Sequence, residues 1–393
     1  MKPGKTLRVI AVVCAICLLA VPILALATDT TAGGAESTKP HDNHGKKFRI
    51  AYCETEPFVN YAGTLYGLVT GLQQLGWVKD TSGLKYVDGQ NSTKEMWSWL
   101  ANNNVSPFLE FVSDAHYTLS EMEEDAGDSI TKRFNERKDI DLVIVMGTKA
   151  GLKIANDQHS VPVTVFSTSN AFRSGIVKSV QTSGRERVWA HMDPELYQRQ
   201  VQVFHDVFQF KKVGMVHEQS EVGKVLAAVA DVEKVGKDRG FEVLTRPVKE
   251  PLDASDNDRY LRDMIAIHEE LAQQVDAYYL YMSMLTPDQL PQVLKPFYDR
   301  KIPVFSQLGS EEVEGGALIS VARADFSGIG SFGAETIVRI LNGESASGLP
   351  QVFQNTPHIA LNLDVAKTVG YRPSFEILLV ADEIYQSGNK PKN

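Results

Sequence analysis

The stretch "DLVIVMGTKAGLKIANDQHSVPVTVFSTSN", residues 141–170, reads as one strand–helix–strand unit. "DLVIVMG" and "VPVTVFS" are short, continuous apolar runs rich in branched residues, the pattern of strands covered on both faces. "KAGLKIAND" between them makes a short crossover helix. Neither run alternates polar with apolar residues, which argues against a one-sided antiparallel sheet and for a parallel one.

The same grammar extends outward in both directions. "FRIAYC" (48–53) and "SPFLEFV" (106–112) are further strands, and "NYAGTLYGLVTGLQQLGW" (60–77) carries Leu65, Leu68, Val69, Leu72 and Leu75 at helical spacing. The stretch 85–104, with Trp97 and Trp99, is longer than a strand–helix connection requires and reads as an insertion with its own helix. A second series begins at "DPELYQRQVQVFHDVF" (193–208). Its predicted strands are "KVGMVHE", "FEVLTRPV", "DAYYLYMS", "IPVFSQ", "GALISVA" and "HIALNLDVA", alternating with helices, one of them capped by Gly240. Two successive sets of such units predict an α/β protein of two Rossmann-like lobes with parallel sheets.

The first residues look like an export signal. "MKPGKTLR" carries Lys2, Lys5 and Arg8, an uncharged apolar run follows, and the run closes on Ala25-Leu26-Ala27. Cleavage after Ala27 and a periplasmic location are expected; an uncleaved anchor is the alternative. Cys14 and Cys17 lack the preceding small residues of a lipidation site. Residues 28–47 are polar and rich in Gly, Thr and His, and read as a flexible linker in which His41 and His44 are solvated.

Cleavage removes three basic and no acidic residues, which takes the formal net charge from −9 to −12. A chain that acidic, without a basic patch, is not expected to bind nucleic acid. Two of the three cysteines leave with the signal, so Cys53 has no internal disulfide partner and the core alone must hold the fold. Cys53 sits in "AYCETEPF" (51–58) beside Glu54 and Glu56, whose charges would raise a thiol's pKa rather than lower it. A nucleophile would also need a base, and nothing in the sequence couples His116, His191 or His217 to it. No metal-ligand spacing accompanies it. A buried strand-end cysteine and no catalysis are therefore expected. "GIGSFG" (328–333) satisfies G-x-G-x-x-G, but "RADFS" separates it from the preceding strand and no acidic residue follows at the required distance. No cofactor is expected.

"KVGMVHEQSEVGKVLAAVADVEKVGKDRGFEVL" (212–244), "IPVFSQLGSEEVEGGALISVARADFSGIGSFGAETIVRILNGE" (302–344) and "HIALNLDVAKTVGYRPSFEILLVADEI" (358–384) resemble the substrate-binding proteins of ABC importers. The similar branch has a type I periplasmic-binding fold and includes aromatic amino acid binders. "DLVIVMGTKAGLKIANDQHSVPVTVFSTSN" and "AFRSGIVKS" fit its first lobe. The resemblance implies a Venus-flytrap protein: two lobes joined by a hinge, with closure around a small solute. It implies a monomer whose partner is an inner-membrane ABC permease; a ligand sensor serving a membrane kinase or chemoreceptor is the alternative. Lobe 1 is expected to comprise 48–190 plus 324–344, and lobe 2 to comprise 191–323 plus 345–393.

Ligands of open parallel sheets sit beyond the carboxyl ends of the strands. The candidate solute contacts are therefore Glu54, Glu56, Thr148, Lys149, Ser169 and Asn170 in lobe 1. In lobe 2 they are Glu218, Gln219, Ser220, Ser283 and Gln307, with Asp325 in the turn that follows. Thr148 is also placed to cap its helix. Tyr66, Phe172, Tyr281 and Phe305 are candidate stacking surfaces, with core packing the commoner role of each. The chain departs from the family at these tips. Ser169-Asn170-Ala171 replaces Thr-Asp-Pro, and His217-Glu218-Gln219 precedes the retained Ser220 and Glu221 where relatives read Tyr-Asn-Pro. Gln307-Leu308-Gly309-Ser310 replaces a Gly-Asp-Thr-type turn. "DFSGIG" keeps Asp325 and Gly330 but has Gly328 for a second aspartate. The family's ligand is therefore not carried over.

Overall fold

The computed structural model describes residues 37–387, apart from 88–89, 91, 252–253, 282–284 and 323–324. The predicted signal, the linker as far as residue 36, and Ser283 lie outside the described residues.

The chain divides into two compact units. One spans Leu26–Pro194 and Ala324–Asn355; the other contains Glu195–Arg323 and Thr356–Asn393. The first holds five parallel strands: β1 (Phe48–Glu54), β2 (Leu109–Thr118), β3 (Leu142–Met146), β4 (Val163–Phe166) and β5 (Val188–Ala190), in the order β2-β1-β3-β4-β5. Side-chain alternation gives each face of β1 its own core. Ile50 and Tyr52 join Leu65, Leu68 and Ile337 on one side, while Ala51 and Cys53 join Ile130, Phe134 and Val145 on the other.

The second unit contains β6 (Lys212–Glu218), β7 (Glu242–Val248), β8 (Ala277–Leu280), β9 (Val304–Ser306), β10 (Ile319–Ser320), β11 (Ala360–Asn362) and β12 (Glu383–Tyr385). Their order is β12-β11-β10-β9-β8-β6-β7. All neighbours are parallel except β10 and β11, which departs from the expected all-parallel sheet. Between these two strands the chain leaves for the Phe326–Leu341 helix of the first unit, and on return it adds β11 against the sheet in the opposite direction.

Four local readings are corrected. The expected linker end, 37–47, is docked: Trp77 Nε1 donates to Thr38 O at 2.8 Å, Asn342 Nδ2 donates to Ser37 O at 2.7 Å, and His41 meets Phe48 and Trp77 edge-on. "DFSGIG" is not a turn, because Asp325 caps the Phe326–Leu341 helix by accepting from Gly328 N at 2.8 Å. "HIALNLDVA" is strand only to Asn362, whose side chain accepts from Asp364 N and Val365 N and starts the Leu363–Val369 helix. Residues 345–355, expected in the second lobe, belong to the first unit. Met192 bridges Val352, Trp189 Nε1 donates to Pro350 O, and Gln351 Nε2 reaches Ser179 O and Val180 O.

The insertion has its predicted helix, Thr93–Asn102. Trp97 is buried there and donates to Val112 O at 2.9 Å, which fixes the helix to β2. Trp99 covers Gly83.

Candidate functional site

Both sheets share one wiring. In the first unit the order is 2-1-3-4-5, and in the second β7-β6-β8-β9-β10 repeats it. Strand order reverses between β1 and β3 in the first unit and between β6 and β8 in the second. Adjacent loops there leave on opposite faces of the sheet and open a crevice at the carboxyl ends.

In the first unit this crevice is rimmed by the ends of β1, β3 and β4. Thr55 follows β1 and its Oγ1 accepts from Ala150 N at 3.0 Å, joining the first tip to the Thr148–Ile154 helix. Gly147, between β3 and that helix, has φ +92°, and a Cβ there would strike Tyr61 Oη; only glycine satisfies both conditions. Thr148 is buried and its Oγ1 accepts from Ser169 N at 3.2 Å, joining the β3 and β4 tips. Among the described residues its own hydroxyl proton has no acceptor. The expected cap is absent, since the helix has no side-chain cap at its N-terminus.

Ser167 directly follows β4 in the left-handed region, at φ 52°. Its Oγ lies 3.1 Å from Thr64 Oγ1, which itself donates to Asn60 O at 2.8 Å. With Thr64's proton committed, Ser167 is the donor of that pair and presents lone pairs elsewhere. Asn170 caps the following turn by accepting from Arg173 N at 2.9 Å. Glu56 and Lys149 are half-buried beside these tips. Thr55, Tyr61 and Ser167 escaped the sequence reading, although Ser167 directly follows an apolar run.

Glu54 is placed differently. It is 1% exposed, and its carboxylate accepts from Tyr52 Oη at 2.7 Å and from Thr93 and Thr118 Oγ1 at 3.0 Å each. Burial raises its pKa, against the pull of those three donors. Glu54 thus ties β1 to β2 and to the insertion helix. Cys53 beside it is fully buried, and burial, then Glu54, push its thiol far above the ordinary range. His116 stacks on Tyr52 and burial holds it down to about 4. Asp325 is occupied as a helix cap.

In the second unit Glu218 ends β6 and is buried, while Gln219 and Ser220 are exposed. Ser220 caps the Glu221–Leu226 helix through Gly223 N and donates to Glu250 Oε1. Gln307 follows β9, is 2% exposed and donates from Nε2 to Leu226 O at 2.8 Å. Its Oε1 is buried without a hydrogen-bond partner among the described residues. Glu312 lies behind the same tip, with Oε2 accepting from Ser306 Oγ at 2.7 Å.

Of the four candidate stacking rings, Phe305 packs among Phe204 and Tyr279, Tyr66 lies flat on Tyr86, and Tyr281 is buried. Phe172 is 46% exposed. Among the described residues no group of three or more His, Cys, Asp or Glu is placed to hold a metal ion, and no helix is long and apolar enough to cross a membrane. "GIGSFG" lies within the Phe326–Leu341 helix, where Gly330 packs against Gly67 of the Val59–Gln74 helix, Gly333 against Leu68 and Phe166, and Gly328 faces Asp325 and Phe353.

Two α/β units with polar strand tips at their switch points define a solute-binding architecture. The profile of the ABC transporter substrate binding protein family matches residues 113–385, and the chain belongs to that family. It is 22% identical over 244 residues to a tyrosine-binding protein of Clostridioides difficile (strain R20291), a match spanning 61% of this chain and 66% of that protein. Two solved structures share the fold at a TM-score of 0.62, each covering 86% of this chain and 100% of its own. One is an ABC domain in complex with L-Trp from Streptococcus pneumonia, at 19% identity; the other is a conserved domain protein of Vibrio cholerae, at 17%. A ligand-free, open substrate-binding protein with adhesive properties from Clostridium difficile matches at 0.57 and 20% identity, over 86% and 100%. Proteins of this family are in general non-enzymatic, bind small molecules and are typically extracytoplasmic.

Proposed function

We propose that the chain is the monomeric periplasmic receptor of an ABC importer, exported by cleavage after Ala27. It captures a small organic solute by closure of its two lobes about a hinge and presents the closed form to an inner-membrane permease, without turnover. The observation that carries the reading is the polar rim at the first unit's switch point, in a chain of this family. At that rim Thr148 has a proton to donate and Lys149 a positive charge, which suit a carboxylate. Glu56 and the lone pairs of Ser167 suit an ammonium group. An amino acid or related carboxylate fits that pairing. Phe172, the exposed ring beside Ser169 and Asn170, suits an aromatic portion. The tryptophan and tyrosine bound by similar proteins point the same way. In lobe 2 the proposed contacts are Glu218, Gln219, Ser220, Ser283 and Gln307. Glu54 and Asp325 are left out because their carboxylates serve internal bonds.

Thermal-shift screening against L-tryptophan, L-tyrosine, the other amino acids, aromatic acids, sugars and nucleosides tests this. A solute at about 100 times its dissociation constant stabilises by about 2.7 kcal/mol, a readily measured shift. Thr148→Ala is expected to weaken the active solute about tenfold or more, the loss of one hydrogen bond to a charged group. If no class shifts the melting temperature and the purified protein carries no solute, the reading fails.

A further inference from the structure

Between residues 37 and 387 the chain passes between the units three times, after Pro194, after Arg323 and after Asn355. Three residues next to these passages, Asp193, Asp325 and Asn355, form one hydrogen-bonded cluster within the first unit. Asp193 Oδ2, just before the first passage, accepts from Asn355 N at 3.0 Å and from Asn355 Nδ2 at 3.4 Å. Asn355 Oδ1 accepts from the backbone N–H of Asp325, just after the second passage, at 3.1 Å. Only one orientation of the Asn355 amide serves both partners, with its nitrogen toward the carboxylate and its oxygen toward the N–H.

The first and third passages also run side by side in the backbone. Met192 N donates to Gln351 O at 2.8 Å, and Phe353 N donates to Met192 O at 3.0 Å. The second passage joins them through the Asn355 side chain. Asp325 in turn starts the Phe326–Leu341 helix, so a displacement of Asn355 is transmitted to a rigid element.

We propose that Asn355 is a hinge-positioning residue: by joining Asp193 to Asp325 it binds the three interlobe passages together and limits the range of lobe orientations in the solute-free protein. The proposal rests on the reading that the lobes close on a solute. Asn355 touches no proposed solute contact, so it acts on binding through the population of closure-competent states.

The test is a distance distribution between spin labels on Lys153→Cys in the first unit and Lys224→Cys in the second, both exposed positions, in the full chain with Cys14 and Cys17 replaced by serine. Cys53 is buried and takes no label. Asn355→Ala removes the bond to Asp325 and the side-chain bond to Asp193, leaving only the backbone N–H of residue 355 on Asp193, so the second passage is uncoupled from the other two. Asn355→Asp keeps the size and the acceptor for Asp325 N–H but sets a second carboxylate against Asp193. Both variants are expected to broaden the solute-free distribution. Arg339→Ala, which breaks a surface ion pair with Glu344 in the same unit, is expected to leave it narrow even where it lowers the melting temperature. A solute that binds the native protein should bind both Asn355 variants with a dissociation constant changed about fivefold or more, the lower end of ordinary coupling.

A native-like narrow distribution in folded Asn355→Asp overturns the proposal. So does failure of both variants to fold, which would assign Asn355 to the stability of the first unit. A native distribution that no amino acid alters counts instead against the solute-binding reading, and leaves the solute-free comparison to decide the hinge role.

Discussion

Gly67 and Gly330 meet backbone to backbone. A methyl group on Gly330 would overlap the carbonyl of Gly67, and one on Gly67 would overlap the carbonyl of Phe326. Gly63, Gly67 and Gly71 recur every fourth residue along one stripe of the Val59–Gln74 helix, and that stripe receives the Phe326–Leu341 helix. Backbone atoms cannot swing aside as a side chain would, so relief requires the helices to separate.

Gly330→Ala is therefore expected to destabilise the first lobe by about 1–3 kcal/mol. Gly348→Ala, where a Cβ meets open space, is expected to change little. Urea unfolding of both variants checks this; equal midpoints would mean that the helices are not in close contact.

Glu54 supports a second prediction. Glu54→Ala leaves the hydroxyls of Tyr52, Thr93 and Thr118 without their shared acceptor in a buried site, at a cost of about 2–4 kcal/mol. Glu54→Gln keeps an acceptor for the two threonines, and its amide can donate to a reoriented tyrosine hydroxyl, so about 1 kcal/mol is expected. Hydrogen exchange should rise across the Thr93–Asn102 helix in the alanine variant and much less in the glutamine one.

These two sites show where the sequence was legible and where it was not. β1, β3 and β4 were readable because strands covered on both faces leave continuous apolar runs, a local signal. The glycines at 328–333 looked like a turn because most of what keeps them small is tertiary: Gly330 meets Gly67, Gly333 meets Leu68 and Phe166, and Gly328 meets Phe353. Glu54 looked like a rim residue because two of its three partners come from β2 and the insertion helix, which only the tertiary fold brings to it. Thr148 and Ser169 were legible as tips, but their bond to each other was not. Position along a strand is written locally; hydrogen-bond partnership is not.

Glu312 gives the second lobe a pH dependence. Burial pushes its carboxyl up to about 8, with Ser306 Oγ and the Leu308 backbone pulling the other way. An unfolded glutamate titrates near about 4.3. Between those values the folded state holds a proton that the unfolded chain has released, so stability falls as pH rises through the window. The contribution is fully present below about pH 4 and is lost as pH passes about 8. Glu312→Gln removes the titration, so between pH 5 and pH 8 its urea midpoint should fall less than that of the native protein. Parallel pH profiles would show that Glu312 is ionised in the fold.

Cys53 provides the last prediction, which separates a binding protein from a thiol enzyme. The thiol is fully buried on the face of β1 that packs on Ile130, Phe134 and Val145, and burial and Glu54 both disfavour its thiolate. In Cys14→Ser, Cys17→Ser protein a thiol reagent should therefore leave Cys53 untouched in native buffer and react with it once urea unfolds the chain. Cys53→Ala removes packed volume from the face shared with Val143 and Val145, which costs stability but no chemistry. Its melting temperature should fall modestly, while the further rise produced by a bound solute stays the same size as in the native protein. Rapid labelling of the folded chain, or loss of the solute-induced rise in Cys53→Ala, would place the thiol at the working surface after all.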